Sequence, residues 1–167
     1  MVLFDKYIIK NSNFDKVKIL CIGDIILDRF ISGEVDRVSP EAPIPIINVQ
    51  KNKDILGGVG NVVANISSLG AYSEVISCIG DDPEGLVIKN LVNSLPNTKS
   101  KLYLDKTRIS TSKERYVSGS QHLLRVDRED KREIDKKLEE KIKNSIKNLI
   151  GKFDIIILSD YGKGFLT

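Results

Sequence analysis

The sequence predicts an α/β fold with a mostly parallel sheet flanked by helices. Three observations carry that expectation. Apolar runs at Val17–Ile22, Glu74–Ile79 and Asp154–Leu158 each stop at a short polar loop: Gly23-Asp24, Gly80-Asp81 and Ser159-Asp160. Continuous apolar runs suit strands buried on both faces, as in a parallel sheet. Segments with helical spacing stand between these runs, and strand–loop–helix alternation is the mark of this class.

Each element has its own reason. Val17–Ile22 is the first buried strand. Phe30–Val35 reads as a short strand. Ser39–Pro45 holds three of the five prolines, so it belongs at a sheet edge, and Ile46–Val49 follows as an exposed or edge strand. Leu56–Asn61 is a glycine loop. After it, Val62, Ile66 and Leu69 fall on one helical face, with Gly70 as the stop. Glu74–Ile79 is a second buried strand. Pro83 suits the first turn of a helix with an apolar stripe of Leu86, Leu91 and Leu95. Lys101–Asp105 reads as a short strand. Thr111–Ser118 and Gln121–Asp127 flank Gly119-Ser120 and read as a hairpin. From Asp130 onward, Ile134, Leu138, Ile142, Ile146 and Leu149 mark an amphipathic helix. Asp154–Leu158 is read as one more buried strand.

Composition excludes several functions. The chain has 167 residues, 41% hydrophobic and 29% charged, with a net charge of +3. That length is enough for one domain with a real core. Between Arg125 and Lys152 there are 10 Lys/Arg and 7 Asp/Glu, against 16 and 16 elsewhere. The excess therefore sits on one amphipathic segment as a solvated face, and no nucleic-acid partner is expected. Trp is absent and aromatics are 6%, which argues against base-stacking platforms. No apolar run approaches the ~20 residues of a membrane helix, so no membrane partner is expected. Val2-Leu3-Phe4 meets Asp5 and Lys6 at once, unlike a signal peptide. Cys21 and Cys78 lie in apolar runs and the chain has one His, so two buried free thiols and no metal site are expected. A reducing cytoplasm is the expected location.

The candidate chemistry lies beyond the strand ends. Ligands of open α/β sheets bind outside the carboxyl ends of the strands. Asp28 and Asn61 can accept and donate to hydroxyl groups there. Gly57 and Gly58 allow close backbone approach, and Asn61 opens a helix whose free N–H groups can hold oxygen atoms. A plain tight turn is the competing reading of these glycines. No Gly-Lys-Ser/Thr follows, so the loop is not a P-loop, and G-x-G-x-x-G spacing is absent.

Several blocks together resemble the ribokinase/phosphofructokinase-B superfamily of sugar kinases. They are Gly23-Asp24-Ile25-Ile26-Leu27-Asp28-Arg29, Arg37–Pro45 with its Ser-Pro-Glu-Ala-Pro core, and Gly57-Gly58-Val59-Gly60-Asn61. Gln121–Asp127 and Leu158-Ser159-Asp160-Tyr161-Gly162-Lys163-Gly164 continue the likeness. More narrowly, the chain is similar to the N-terminal half of bacterial D-glycero-D-manno-heptose 7-phosphate kinases of the ADP-heptose pathway. The resemblance implies a ribokinase-like fold with a small β-lid, residues 1–167 forming the N-terminal part of one domain and the C-terminal half of the fold lying outside it. Lid segments would span about 30–50, to which 111–127 could belong, and the lid would make a homodimer.

The implied activity is ATP-dependent phosphorylation of a small sugar phosphate. Asp28, Gly57, Gly58 and Asn61 would bind sugar hydroxyls, with Asp160 at the same rim. Lys113, Arg115, Arg125 and Lys163 would hold the substrate's phosphate, since Arg and Lys suit it by charge and donor geometry. A structural ion pair is the competing role for each cation. The resemblance also implies ATP and Mg2+ for a complete enzyme. The family's Gly-Ala-Gly-Asp loop, with its catalytic base and anion hole, has no counterpart here, because no Gly-x-Gly-Asp occurs in the chain. No catalytic residue, no metal ligand and no bound cofactor are therefore expected of the chain alone. Asp24, Asp28 and Asp160 are weak substitutes for the base, since Gly-Asp at a strand end is accounted for by the sugar site. Two other readings stand beside this one: a non-catalytic sugar-phosphate-binding or dimerisation module, and a kinase for another sugar such as ribose or fructose phosphate.

Overall fold

The computed structural model describes residues 11–166. The Val2–Lys6 segment, read above for a signal peptide, lies outside the described residues. After a 3-10 turn at Asn11–Lys16 come β1 (Lys18–Gly23), β2 (Ile25–Val38), β3 (Pro45–Gly58) and α1 (Val59–Ser68). Then follow β4 (Tyr72–Ile79), α2 (Pro83–Asn93), β5 (Thr98–Leu104), β6 (Ser112–Ser118) and β7 (Gln121–Arg128). The last are α3 (Lys136–Leu149), a 3-10 turn at Ile150–Lys152, and β8 (Ile155–Ser159).

Two four-stranded sheets result, in the orders β5-β4-β1-β8 and β3-β2-β6-β7. The first is parallel throughout. Alternation along β1 sends its side chains to two cores. Ile19 and Cys21 join Val59, Val63 and Ile66 of α1 and Ile88 and Val92 of α2. Leu20 and Ile22 join Tyr103, Ile134, Ile142 and Phe165 on the α3 side. The apolar run in β1 is continuous because both of its faces are covered.

The second sheet is mixed. β2 pairs antiparallel with β3 and parallel with β6, and β6 pairs antiparallel with β7. It leaves the first sheet directly, because only Asp24 separates β1 from β2. Leu27 and Leu56 seat its base on the α1–α2 core.

Several local expectations need correction. The Phe30–Val35 and Ile46–Val49 strands are parts of two 14-residue strands. Gly57 and Gly58 end β3 and are not a free loop, and α1 starts at Val59, two residues before Asn61. Its buried face is Val59, Val63 and Ile66, while Leu69 is exposed. In α2 the fully buried positions are Ile88 and Val92; Leu91 and Leu95 pack partly buried against the same core as expected, Leu86 is exposed, and Pro83 opens the helix. α3 starts at Lys136 behind an Asp135 cap, so Ile134 packs from the run-in segment. Cys21 is buried but Cys78 is only partly so. Burial pushes the Cys21 thiol up to about 12.

The largest correction concerns β8. It was expected to be buried, yet Ile155, Ile156 and Leu158 are exposed. Among the described residues it is the outer strand of the sheet and pairs only with β1. Only Ile157 reaches a core, the one beneath α1 and α2.

Candidate functional site

The polar ends of β1, β4 and β8 meet on one rim, as expected. Asp24 N–H donates to the Ser159 carbonyl at 3.0 Å, and Ser77 Oγ donates to the Gly23 carbonyl at 2.7 Å. Asp24 is buried and organises this rim. Its Oδ2 accepts the N–H groups of Tyr161 at 2.8 Å and Lys163 at 3.1 Å. Its Oδ1 accepts the N–H of Phe165 at 3.3 Å. Both oxygens are thus committed to the loop after β8. The cavity beside Asp24, Ser77 and Arg108 is about 20 Å3, room for about one water and no sugar. Asp24 is therefore a loop anchor, which corrects its assignment to the sugar site and leaves it no role as a substitute base.

Strand register places Asp28 on the opposite face of the second sheet from Leu27. Asp28 pairs with Lys113 of β6, and Arg115 pairs with Arg125 of β7. Paired and alternate residues share a face, so Asp28, Gly57, Lys113, Arg115 and Arg125 stand on one side of the sheet. Arg115 Nη1 bonds Asp28 Oδ1, and its guanidinium lies 5.2 Å over the Phe30 ring. Gly57 sits under the same carboxylate. A Cβ there would meet Asp28 Oδ2 at 2.3 Å. Gly57 is needed because that oxygen occupies the space of a side chain.

Gly58 has φ 58°, where L side chains are strained, and a Cβ would meet the Asp24 carbonyl at 2.2 Å. It caps α1 without a side-chain hydrogen bond, so the first turn keeps unpaired donors. Asn61 is exposed on that turn.

Three of the four remaining predicted residues are engaged. Arg125 Nε is 2.9 Å from Asp127. Lys163 Nζ is 2.6 Å from Glu129 Oε2. Asp160 Oδ1 accepts the Gly162 N–H at 2.8 Å, closing a local turn. Lys113 makes no ion pair among the described residues, and so its ammonium remains available on the Asp28 face.

Two residues were not singled out from the sequence. Arg108 donates to the carbonyls of Arg132 at 2.6 Å and Lys163 at 3.0 Å, and its Nη1 lies 3.2 Å from Cys78 Sγ. It ties together the β5–β6 connection, the run-in to α3 and the loop after β8. Glu129 accepts from Lys163, and Lys131 approaches its Oε1 at 3.0 Å. These lysines, Lys163 first, hold its carboxyl down at about 2. Nothing in the linear sequence marks Arg108. Glu129 stood within a charge run, where alternation past Asp127 was the one available signal.

On the far face, Arg29 grips Asp54 through Nε at 2.7 Å and Nη2 at 3.0 Å, with Glu84 of α2 and Glu114 of β6 at 3.9 and 3.8 Å. Glu114 is buried and also bonds Arg128 and Tyr116. This network fixes the base of the second sheet to α2, so the Asp28 face points away from the core.

Residues 16–164 match the family model described as pfkB family carbohydrate kinase. The chain belongs to the pfkB family of carbohydrate kinases. Bifunctional protein HldE of Caulobacter sp. (strain K31) is 41% identical over 154 residues, which are 92% of this chain and 31% of that relative. Bifunctional protein HldE of Aliarcobacter butzleri is 41% identical over 152 residues, 91% of this chain and 32% of the relative. The chain spans about a third of the length of these curated relatives.

Solved structures agree on the fold. A possible 1-phosphofructokinase from Thermotoga maritima has TM-score 0.66 at 16% identity, over 84% of this chain and 44% of that one. A carbohydrate kinase from Agrobacterium tumefaciens has TM-score 0.64 at 19% identity, over 85% and 45%. Kinases of this kind use ATP with a metal. Among the described residues no group of three or more His, Cys, Asp or Glu could hold a metal ion. The Asp28 face carries two carboxylates, Asp28 and Asp127, each paired with an arginine, so it fits hydroxyls and anions and does not fit a magnesium–nucleotide pair. No helix among the described residues is long and apolar enough to cross a membrane.

Proposed function

We propose that this chain forms the acceptor side of a sugar-phosphate kinase whose substrate is D-glycero-D-manno-heptose 7-phosphate, converted to the 1,7-bisphosphate. The observation that carries the reading is the Asp28 face: a carboxylate seated over Gly57, braced by Arg115 and neighboured by Lys113. Arg115 keeps Asp28 oriented, and Oδ2 is left to accept sugar hydroxyls. Lys113, Arg115, Arg125 and Lys163 set a positive field for the phosphate that the substrate already bears. Asn61 and the open first turn of α1 add donors. The heptose assignment is supported by the Ser-Pro-Glu-Ala-Pro and Ser-Asp-Tyr-Gly-Lys-Gly blocks and by the HldE relatives.

Phosphoryl transfer depends on positioning and on stabilising the charge of the moving group. The acceptor face supplies the first of these. ATP and Mg2+ would belong to a part of the enzyme carrying a Gly-Ala-Gly-Asp loop, and the second sheet would act as a lid that makes a homodimer. We therefore expect the 167-residue chain to bind heptose 7-phosphate but to show no ATP-dependent turnover above a no-enzyme control. Calorimetric titration of the chain with heptose 7-phosphate tests the binding. Asp28→Ala should weaken it by about 1–3 kcal/mol through lost hydroxyl hydrogen bonds. Unchanged affinity would remove Asp28 from the site.

A further inference from the structure

Among the predicted phosphate-binding cations that form ion pairs, Lys163 is the most enclosed. Its side chain is 13% exposed, against 22% for Arg115 and 59% for Arg125. Its backbone is fixed on both sides, by Asp24 at the N–H and Arg108 at the carbonyl. Its ammonium therefore projects from a rigid support, and the group it meets is the Glu129 carboxylate. Glu129 follows β7 directly, two residues beyond Asp127, whose strand position lies on the side of the sheet that carries Asp28. With Lys163 on one oxygen and Lys131 on the other, the carboxylate has the environment of a small oxyanion between two cations.

We propose that Glu129 is a specificity-determining residue: its carboxylate occupies the anion position of Lys163 and gives way to the phosphate of an incoming phosphorylated sugar. The inference rests on the reading of Lys163 as a phosphate-binding cation. A tethered carboxylate acts at high effective concentration, so a weakly charged or neutral ligand cannot displace it. A phosphate dianion brings twice the charge and three acceptor oxygens, and it can. Selectivity arises because the wrong ligand must leave Lys163 with its internal partner. Displacement, and not protonation, is the route, because Lys163 and Lys131 hold the Glu129 carboxyl down at about 2. A purely structural latch between β7 and the loop after β8 is the competing role.

Glu129→Gln separates the two roles, since it removes the charge and keeps the shape. The 167-residue chain and the variant are titrated calorimetrically with inorganic phosphate, with heptose 7-phosphate and with the unphosphorylated heptose. The expected result is about two- to fivefold tighter binding of both phosphate-bearing probes to the variant, the factor of a partly shielded ion pair. Affinity for the neutral heptose should not change. Adding Lys163→Gln should abolish the gain. Phosphate binding that is unchanged or weaker in Glu129→Gln, whatever its melting temperature, overturns the inference. If wild type binds no heptose probe while the variant still gains for inorganic phosphate, the proposed substrate fails and the role of Glu129 stands. If wild type binds heptose 7-phosphate and the variant binds it no tighter, the reverse holds.

Discussion

Asp28 and Gly57 work as one unit at the scale of single residues. The carboxylate lies where a Gly57 side chain would be, and the atom in sharpest conflict is the end of a movable side chain, with Ile26 Cβ next at 3.2 Å. Gly57→Ala should therefore cost little stability but push Asp28 aside. The expected outcome is a binding loss for heptose 7-phosphate close to that of Asp28→Ala, with a melting temperature near wild type. Glu129 gives a second prediction at this scale. Its carboxyl is lowered from 4.5 to about 2, so the folded state binds its proton less readily than the unfolded chain does. The stabilisation is present above about pH 4.5 and is lost as pH falls toward 2. The difference in melting temperature between wild type and Glu129→Gln should thus be constant near neutrality and shrink on acidification below pH 4.5. A difference that stays flat into strong acid would separate Glu129 from Lys163.

Elements are joined here by a few tight backbone contacts. Gly58 is the hinge between β3 and α1, and Val59 N–H donates to the Asp24 carbonyl at 2.8 Å across it. The positive φ and the 2.2 Å approach together exclude any Cβ. Gly58→Ala should destabilise the chain by at least about 2 kcal/mol, counting strain and displaced backbone. Urea titration measures it, and a loss below half that value would mean the hinge relaxes freely. The loop after β8 is held in a comparable way from two sides, by Asp24 accepting its N–H groups and Arg108 donating to its Lys163 carbonyl. Both partners come from elements far away in sequence, so the loop is ordered only when β1, β8 and the β5–β6 connection have assembled.

Across the whole molecule, exposed apolar side chains gather on two surfaces, while others such as Leu69, Leu86 and Leu104 stand singly. One is β8, with Ile155, Ile156 and Leu158. The other is the second sheet, with Val38, Ile44, Val49 and Leu124. An outer strand with unpaired backbone and apolar side chains is a template for association. The chain should self-associate in a concentration-dependent way in sedimentation experiments. Replacing Ile156 and Leu158 with Lys should reduce that association while leaving the cores intact. A wild-type chain that sediments as a monomer at every concentration would contradict this.

Much of this was legible in the linear sequence, for physical reasons. Apolar runs ending in Gly-Asp and Ser-Asp determined the parallel sheet, because a strand covered on both faces must be apolar along its length. Pro83, Gly70 and Gly119 determined an N-terminus, a stop and a turn, because backbone conformation is a local property. The residue types at Asp28, Gly57 and Asn61 marked a polar rim. Only the tertiary structure decided what those groups touch. Asp24 and Asp28 look equivalent in sequence, yet burial under the post-β8 loop makes one an anchor and an open sheet face makes the other a ligand-binding candidate. The apolar run of β8 resembles that of β1, and its exposure follows from having a neighbour on one side alone. Arg108, Glu129 and Lys163 meet through distant segments, and no local pattern encodes such a meeting.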